Sequence, residues 1–267
     1  MSKVILITGG SSGIGKSIGE FLHHKGFIVY GTSRNPEKTI NSVFPLVALD
    51  VRNVESIQTA VAKIIQISGR LDVVINNAGV GITGPLEEIP TSEIKNNFET
   101  NFFGPIEVMK AVLPQMRSQK AGLIINITSI AGYMGLPYRS VYSASKGALE
   151  LITEALRMEV KSLGIHIANV APGDFATNIA SGRFHAPLIP GSDYAVPYGN
   201  TLKMMDEHVD SGSNPNEMAE AVYKIIQTPK PKVHYKVGVF IQKFSIILKR
   251  ILPDKVYEKM LMNHYKL

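Results

Sequence analysis

Along the chain, short uninterrupted apolar runs alternate with longer stretches in which apolar residues recur every three or four positions. Val4–Thr8, Phe27–Thr32, Leu46–Leu49, Leu71–Asn76, Leu123–Thr128 and Ile165–Ala171 have the first pattern. Runs this short, rich in Val, Ile and Leu, predict strands buried on both faces. Ile14–Lys25, Val54–Ile67, Glu93–Gln119 and Tyr142–Leu163 have the second pattern and predict amphipathic helices. The alternation predicts an α/β fold with a doubly wound parallel sheet, whose ligands bind beyond the carboxyl ends of the strands. Gly104-Pro105 should kink or interrupt the third helical stretch.

Two regions depart from the alternation. Residues 178–214 contain Pro187, Pro190 and Pro197 with little sustained periodicity, which predicts a substrate lid or an irregular loop. The tail, residues 230–267, is basic and amphipathic, so the expected organisation is a single domain over residues 1–229 with a C-terminal helical extension over 230–267. Within the tail Phe240, Phe244, Ile247, Leu248 and Ile251 recur at helical spacing, Lys243, Lys249 and Arg250 lie mostly off that face, and Pro253 ends the run. Such a helix either packs on the body, the favoured reading, or lies on an anionic membrane.

Composition narrows the possibilities. A chain of 267 residues with 45% hydrophobic content is long enough for one large domain. There is no cysteine, which excludes disulfides, thiolate metal sites and cysteine nucleophiles, and fits a reducing, cytoplasmic setting. Of the net charge of +6, the tail carries nine basic and two acidic residues, +7, so the preceding 229 residues are near neutral. Nucleic-acid binding therefore has no general electrostatic support. No metal site is expected.

Candidate chemistry begins at Thr8-Gly9-Gly10-Ser11-Ser12-Gly13-Ile14-Gly15, where the first strand should give way to the first helix. Glycines there let a pyrophosphate approach the backbone, and a helix N-terminus presents free N–H groups to it. The spacing is Gly-x-x-x-Gly-x-Gly, not the general dinucleotide fingerprint. A carboxylate about twenty residues on would bind the ribose hydroxyls and favour NAD. The second strand instead ends Thr32-Ser33-Arg34, and Ser33 and Arg34 suit a 2′-phosphate, so NADP(H) is the expected cofactor, with NAD(H) secondary.

With these motifs in order, the chain resembles the short-chain dehydrogenase/reductase family over Val4 to about Ile226, which implies a Rossmann-type sheet. Gly9, Ser11, Ser12, Gly13, Ile14 and Gly15 resemble that family's cofactor turn, and Asn76-Asn77-Ala78-Gly79 its fourth-strand motif. Asp50 and Val51 match positions that contact adenine. Pro172, Gly173, Phe175 and Thr177 match the segment that holds the nicotinamide. Asn101, Ser129, Tyr142 and Lys146 fall where the family keeps its catalytic tetrad. The tail is more similar to the hydroxysteroid/retinol dehydrogenase branch and its bacterial relatives. Homo-oligomerisation through the helices near Asn97–Gln119 and Tyr142–Leu163 is implied by the resemblance.

Tyr142 and Lys146 are four apart and share a helix face. A free phenol titrates near pH ~10, and an adjacent ammonium stabilises the phenolate. A phenol so placed can protonate a carbonyl oxygen as hydride arrives, while Ser129 orients that oxygen. The resemblance implies that Lys146 also holds the nicotinamide ribose and that Asn101 anchors a water linking Lys146 to solvent. The expected activity is NADP(H)-dependent interconversion of an alcohol and a ketone or aldehyde. Gly135–Tyr138, Phe175, Phe184, Leu188 and Ile189 suggest apolar walls and a steroid-, retinoid- or lipid-like substrate. A nucleotide-sugar epimerase or dehydratase, and a non-catalytic cofactor sensor, are the alternatives. His166 is assigned no role, and Met204-Met205 and Met260/Met262 are expected as packing or lid surface.

Overall fold

The computed structural model describes residues 2–39, 41–175, 182–210 and 212–267, the side chains of 206–210 not among them. In chain order the elements are β1 (Val4–Ile7), α1 (Gly13–His24), β2 (Ile28–Ser33), β3 (Leu46–Ala48), α2 (Val54–Ser68), β4 (Val73–Asn76) and β5 (Ile82–Thr83). There follow α3 (Thr91–Phe98), α4 (Gly104–Gln119), β6 (Gly122–Ile127), α5 (Ser140–Glu159), β7 (Ile165–Pro172) and β8 (Phe184–His185). Helices α6 (Ala195–Asp210) and α7 (Pro215–Gln227), strand β9 (His234–Val237), and helices α8 (Phe240–Ile251) and α9 (Asp254–Tyr265) complete the chain.

One parallel sheet runs in the order β3-β2-β1-β4-β6-β7-β9, while β5 and β8 pair separately. The chain winds outward from β1 in one direction and from β4 in the other, so the topological switch falls between those strands. Strand alternation sends Val4 and Leu6 to one face and Ile5 and Ile7 to the other, and all four are buried. The first face packs on α2 and α4 through Ile57, Val61, Ile64, Val108, Val112 and Met116. The second packs on α1 and α7 through Ile18, Leu22, Met218, Val222 and Ile225. This two-sided burial explains why the strands read as continuous apolar runs.

Local chemistry sets the element ends. Asn53 caps α2 by accepting from the Ser56 amide at 2.9 Å, and Gly69 closes it with φ 70°, a conformation that favours glycine. The interruption expected at Gly104-Pro105 is a π-helical turn, Glu99–Phe103, between α3 and α4. Pro105 has no N–H to donate to the carbonyl of Asn101, four residues earlier, and the helix widens there.

Two expectations need correction. Of residues 178–214, 178–181 and 211 lie outside the described residues; the described part is not simply irregular, because α6 occupies its second half. Its sequence is weakly periodic, and it is held by tertiary contacts: fully buried Tyr198 donates to the Thr83 carbonyl at 3.1 Å and lies against Tyr138. The sheet also continues past residue 229, since β9 pairs with β7, and the helical extension proper follows Gly238. That extension packs on the body: Ile246 and Tyr257 are buried with Ile130, Met134 and Ala171. Among the described residues no helix is long and apolar enough to cross a membrane.

Candidate active site

The turn after β1 is built for close approach. Gly9 and Gly13 have φ 65° and 54°, the left-handed region that side chains disfavour. A Cβ on Gly10 would lie 2.7 Å from the Gly31 Cα, and one on Gly15 would meet the Asn77 amide and the Gly9 carbonyl. Ser12 leads into α1 in extended conformation without a side-chain cap, so the helix's first N–H groups face outward unclaimed by it. The Asn76–Gly79 segment braces this turn from the next strand. Asn77 donates to the carbonyls of Thr8 and Gly9 at 3.0 and 3.2 Å, and the Ala78 amide donates to the Thr8 hydroxyl at 3.0 Å. The glycines thus let the turn pack closely on β2 and on the Asn76–Gly79 segment while the start of α1 faces outward, a cradle that suits a dinucleotide.

Ser33 ends β2 and Arg34 follows it, exposed. Asp50 follows β3 on the neighbouring loop. Burial opposes ionisation of its carboxyl, but hydrogen bonds from the Arg52 amide and guanidinium, with the charges of Arg52 and Arg34, hold it below the usual carboxylate range. Val51 is buried against Gly104. At the other end of the cradle, Pro172 ends β7, Gly173 follows it, and Phe175 is buried beside them. Thr177 lies outside the described residues.

The four candidate catalytic residues are brought together from the π-helical turn, the turn after β6 and α5. Asn101, fully buried, pairs with Val80: its Oδ1 accepts from the Val80 amide and its Nδ2 donates to the Val80 carbonyl, both at 2.9 Å. A Cβ on Gly79 would lie 3.2 Å from the Asn101 Oδ1 and 3.3 Å from the Lys146 Nζ, so those atoms converge on one glycine. Lys146 is buried on α5 and donates to the Ile127 carbonyl at 2.9 Å. Burial lowers its pKa, while the Tyr142 phenol and the Glu150 carboxylate oppose that shift. Tyr142, one turn earlier, and Ser129, after β6, line the same small cavity with Ile14, Gly81, Pro172 and Gly173. The Arg139 guanidinium stacks over the Tyr142 ring, 5.3 Å from its centroid.

A second cavity, of about 570 Å³, opens from Ser129 and runs under the C-terminal helices. Ile130, Met134 and Leu136 form its floor, while Ile241, Leu248, Tyr257 and Leu261 come from α8 and α9. Met205 and Met260 line it too, so two of the methionines expected only as packing or lid surface face this space. Leu188 and Ile189 are exposed and do not line it, and Phe184 packs instead in the cluster around Tyr198. Sequence reasoning passed over Arg139, Asp174 and Gln242, which lie at the junction of the cavities or beside it. Gln242 clasps Asp174, accepting from its amide at 3.2 Å and donating to its carboxylate at 2.7 Å. No motif marks Gln242, because only folding back of the tail brings it to the site; Arg139 and Asp174 lie beside Tyr142 and Gly173 in the chain. His166 stays away from it, paired with Leu123 at the start of β7.

Comparison with known proteins agrees with this geometry. A family model described as short chain dehydrogenase matches residues 3–187. A 3-ketodihydrosphingosine reductase of Bacteroides thetaiotaomicron is 43% identical over 98% of each chain. Among solved structures, a short-chain dehydrogenase from Streptomyces avermitilis superposes with a TM-score of 0.84 at 30% identity, covering 100% of this chain and 97% of that one. ElxO, solved with NADP bound, superposes with a TM-score of 0.72 at 28% identity over 89% of this chain and 97% of its own. Sheet order, glycine cradle and extended match together place this chain in the short-chain dehydrogenase family, as one of its oxidoreductases.

Proposed function

We propose that the protein is an NADP(H)-dependent oxidoreductase that interconverts a ketone and an alcohol on a hydrophobic, lipid-like substrate. The observation that carries this reading is the 570 Å³ cavity, lined largely by apolar residues, which begins at Ser129 and is walled by the C-terminal helices. The 43% identity to a reductase named for a sphingoid ketone supports the same substrate class. Ser33 and Arg34, with no carboxylate at the end of β2, support NADP(H) over NAD(H). Gly9, Ser11, Ser12, Gly13, Ile14 and Gly15 would hold the pyrophosphate, Asp50, Val51, Asn77, Ala78 and Gly79 the adenosine side, and Pro172, Gly173, Phe175 and Thr177 the nicotinamide.

The bound cofactor supplies hydride to the carbonyl carbon. Tyr142 gives its phenolic proton to the carbonyl oxygen in reduction and takes it back in oxidation. Ser129 donates a hydrogen bond to that oxygen and fixes its direction. Lys146, buried one turn away, holds its ammonium near the phenol and favours the phenolate left after transfer. Asn101 clamps the Val80 backbone so that Gly79, Lys146 and the pocket keep their spacing, and it anchors the route by which the proton is replaced from solvent. Long-chain ketones, steroids and small polar sugars assayed with NADPH test the substrate class; turnover of sugars alone would refute it.

Two partner readings accompany this function. Leu151 and Met158, seven apart on α5, are 69% and 72% exposed, which supports a homo-oligomer formed through that helix. On α8, Phe240, Ile247 and Ile251 are exposed along one stripe, Phe244 stacks on Phe240, and Lys243 and Arg250 flank them. An apolar stripe edged with cations suits the surface of an anionic bilayer, from which a lipid-like ketone would enter. Co-sedimentation with vesicles containing phosphatidylserine measures it: F240S/I247S should lose binding, and binding equal to that of the unchanged protein refutes the contact.

A further inference from the structure

Behind the site lies a buried carboxylate that the mechanism above does not use. Glu150 sits on α5, one turn beyond Lys146 and only 5% exposed. The Thr128 hydroxyl donates to its Oε1. Its Oε2 accepts from the Tyr133 hydroxyl and the Asn169 amide, each at 2.9 Å. Thr128 immediately precedes Ser129, and Tyr133 ends the 3₁₀ turn that follows it. One carboxylate therefore grips both flanks of Ser129.

His234 completes the arrangement. Its Nδ1 lies 2.7 Å from Glu150 and its Nε2 2.9 Å from Glu154, the next turn of the same helix. His234 is also the last member of a polar row that crosses the sheet in register: Asn76 opposite Asn126, Asn126 opposite Asn169, Asn169 opposite His234. The row is tied to α5 through Asn126 to Thr153 at 2.8 Å, as well as through Glu150. His234 opens β9, and the chain runs from β9 through Gly238 into α8, the outer wall of the large cavity.

Nδ1 faces Glu150 and the Tyr133 hydroxyl, 3.2 Å away and itself donating to Glu150, while Nε2 faces Glu154. The ring can donate on both sides only when both nitrogens carry protons, because the neutral ring has a single N–H. The other charged or titratable groups around it are Tyr133 on the turn, Lys236 on β9, whose ammonium lies 5.2 Å from the Tyr133 ring centroid, and Arg250 on α8. The hydrogen bond to Glu150 raises the His234 pKa above the ordinary histidine value against the effect of burial. A buried carboxylate without a cation is costly, and an apolar residue would fill the same space without that cost. The charge is better explained by what it holds in place.

We propose that Glu150 and His234 are positioning residues for the reaction: the carboxylate fixes the Ser129 turn from both sides, and the imidazolium fastens it to the strand from which the C-terminal wall of the cavity extends. The proposal rests on the reductase reading for its kinetic test but not for its structural one. Full-length wild type, E150Q and H234Q are compared in NADPH-dependent reduction of a long-chain ketone between about pH 6 and 9, around the histidine range. NADPH affinity should be unchanged in both variants. In E150Q kcat should fall about tenfold, as expected for a loosened orienting group. In H234Q, KM should rise and the histidine-linked decline of wild-type activity with pH should disappear. Wild-type kcat, KM and pH profile in both variants, whatever their melting temperatures, would overturn the proposal. Amide exchange of residues 128–134, corrected for intrinsic rates, provides the test without substrate: protection should fall in both variants, and in wild type as pH rises. If no ketone is reduced by wild type, the reductase reading fails, and unchanged protection of that turn still decides against the pair.

Discussion

Replacing Tyr142 by phenylalanine separates chemistry from packing unusually well in this protein. The ring is 8% exposed and keeps its neighbours in the variant, including the Arg139 guanidinium 5.3 Å from its centroid. Among the described residues the phenolic oxygen has no hydrogen-bond partner in the protein, so its removal orphans no buried donor or acceptor. The stability change should therefore stay below about 1 kcal/mol. For a domain of this size that is about 2 °C in Tm. The loss of a positioned general acid is far larger, about 10²- to 10⁴-fold in kcat. At about 1.4 kcal/mol per decade this corresponds to about 3–5 kcal/mol of transition-state stabilisation. Single-turnover oxidation of NADPH, a calorimetric Tm and NADPH affinity on the same preparation read the three quantities. A variant within about threefold of wild-type kcat, less than 1 kcal/mol in the barrier, would refute the proton-transfer role. A drop in Tm of more than about 5 °C, far above the packing expectation, would show that the hydroxyl is structural instead.

Other outcomes follow from the same geometry. Asn101→Ala leaves the part-buried Val80 N–H without its side-chain partner and should cost about 1–3 kcal/mol, read as a lower urea midpoint; an unaltered midpoint counts against the clamp. Arg34→Ala should weaken NADPH binding about 10- to 100-fold, as for the loss of a charged hydrogen bond, with NADH affinity unchanged; equal losses for both cofactors would remove the 2′-phosphate assignment. Leu248→Trp, which fills the large cavity from α8, should raise KM for long-chain ketones about tenfold while sparing short ones; equal effects on both would place the substrate elsewhere. Stability should also depend on His234: its folded pKa is raised, so its contribution is complete below the ordinary histidine value and is lost as pH rises through the folded pKa. Denaturation across that range should show the decline in wild type and not in H234Q, and identical curves would contradict it.

The legible parts of this protein are those in which a local rule carries the information. The cradle was readable because Gly9 and Gly13 need positive φ and Gly15 has no room for a Cβ. The π-helical turn was foreshadowed by Gly104-Pro105, since a missing N–H is a property of one residue. Glu150 could have been found as a charged residue on the inward stripe that Tyr142, Lys146, Leu149 and Thr153 share. Its partners could not, because Thr128, Tyr133, Asn169 and His234 come from separate elements. Helix α6 escaped for the opposite reason: its own periodicity is weak, and buried Tyr198 and Met205 hold it against the rest of the molecule.

By itself the sequence determined the order of the first six strands of the main sheet and the helices between them, the place of the candidate phosphate cradle and the identity of the candidate tetrad. Those features depend on side-chain periodicity, backbone conformation and spacing within single elements. The tertiary structure decided what surrounds the tetrad: which residues wall the large cavity, how Gln242 clasps Asp174, and how one buried carboxylate spans both sides of Ser129. These are contacts between segments far apart in the chain, and only the register of the sheet and the return of the C-terminal helices bring them within reach.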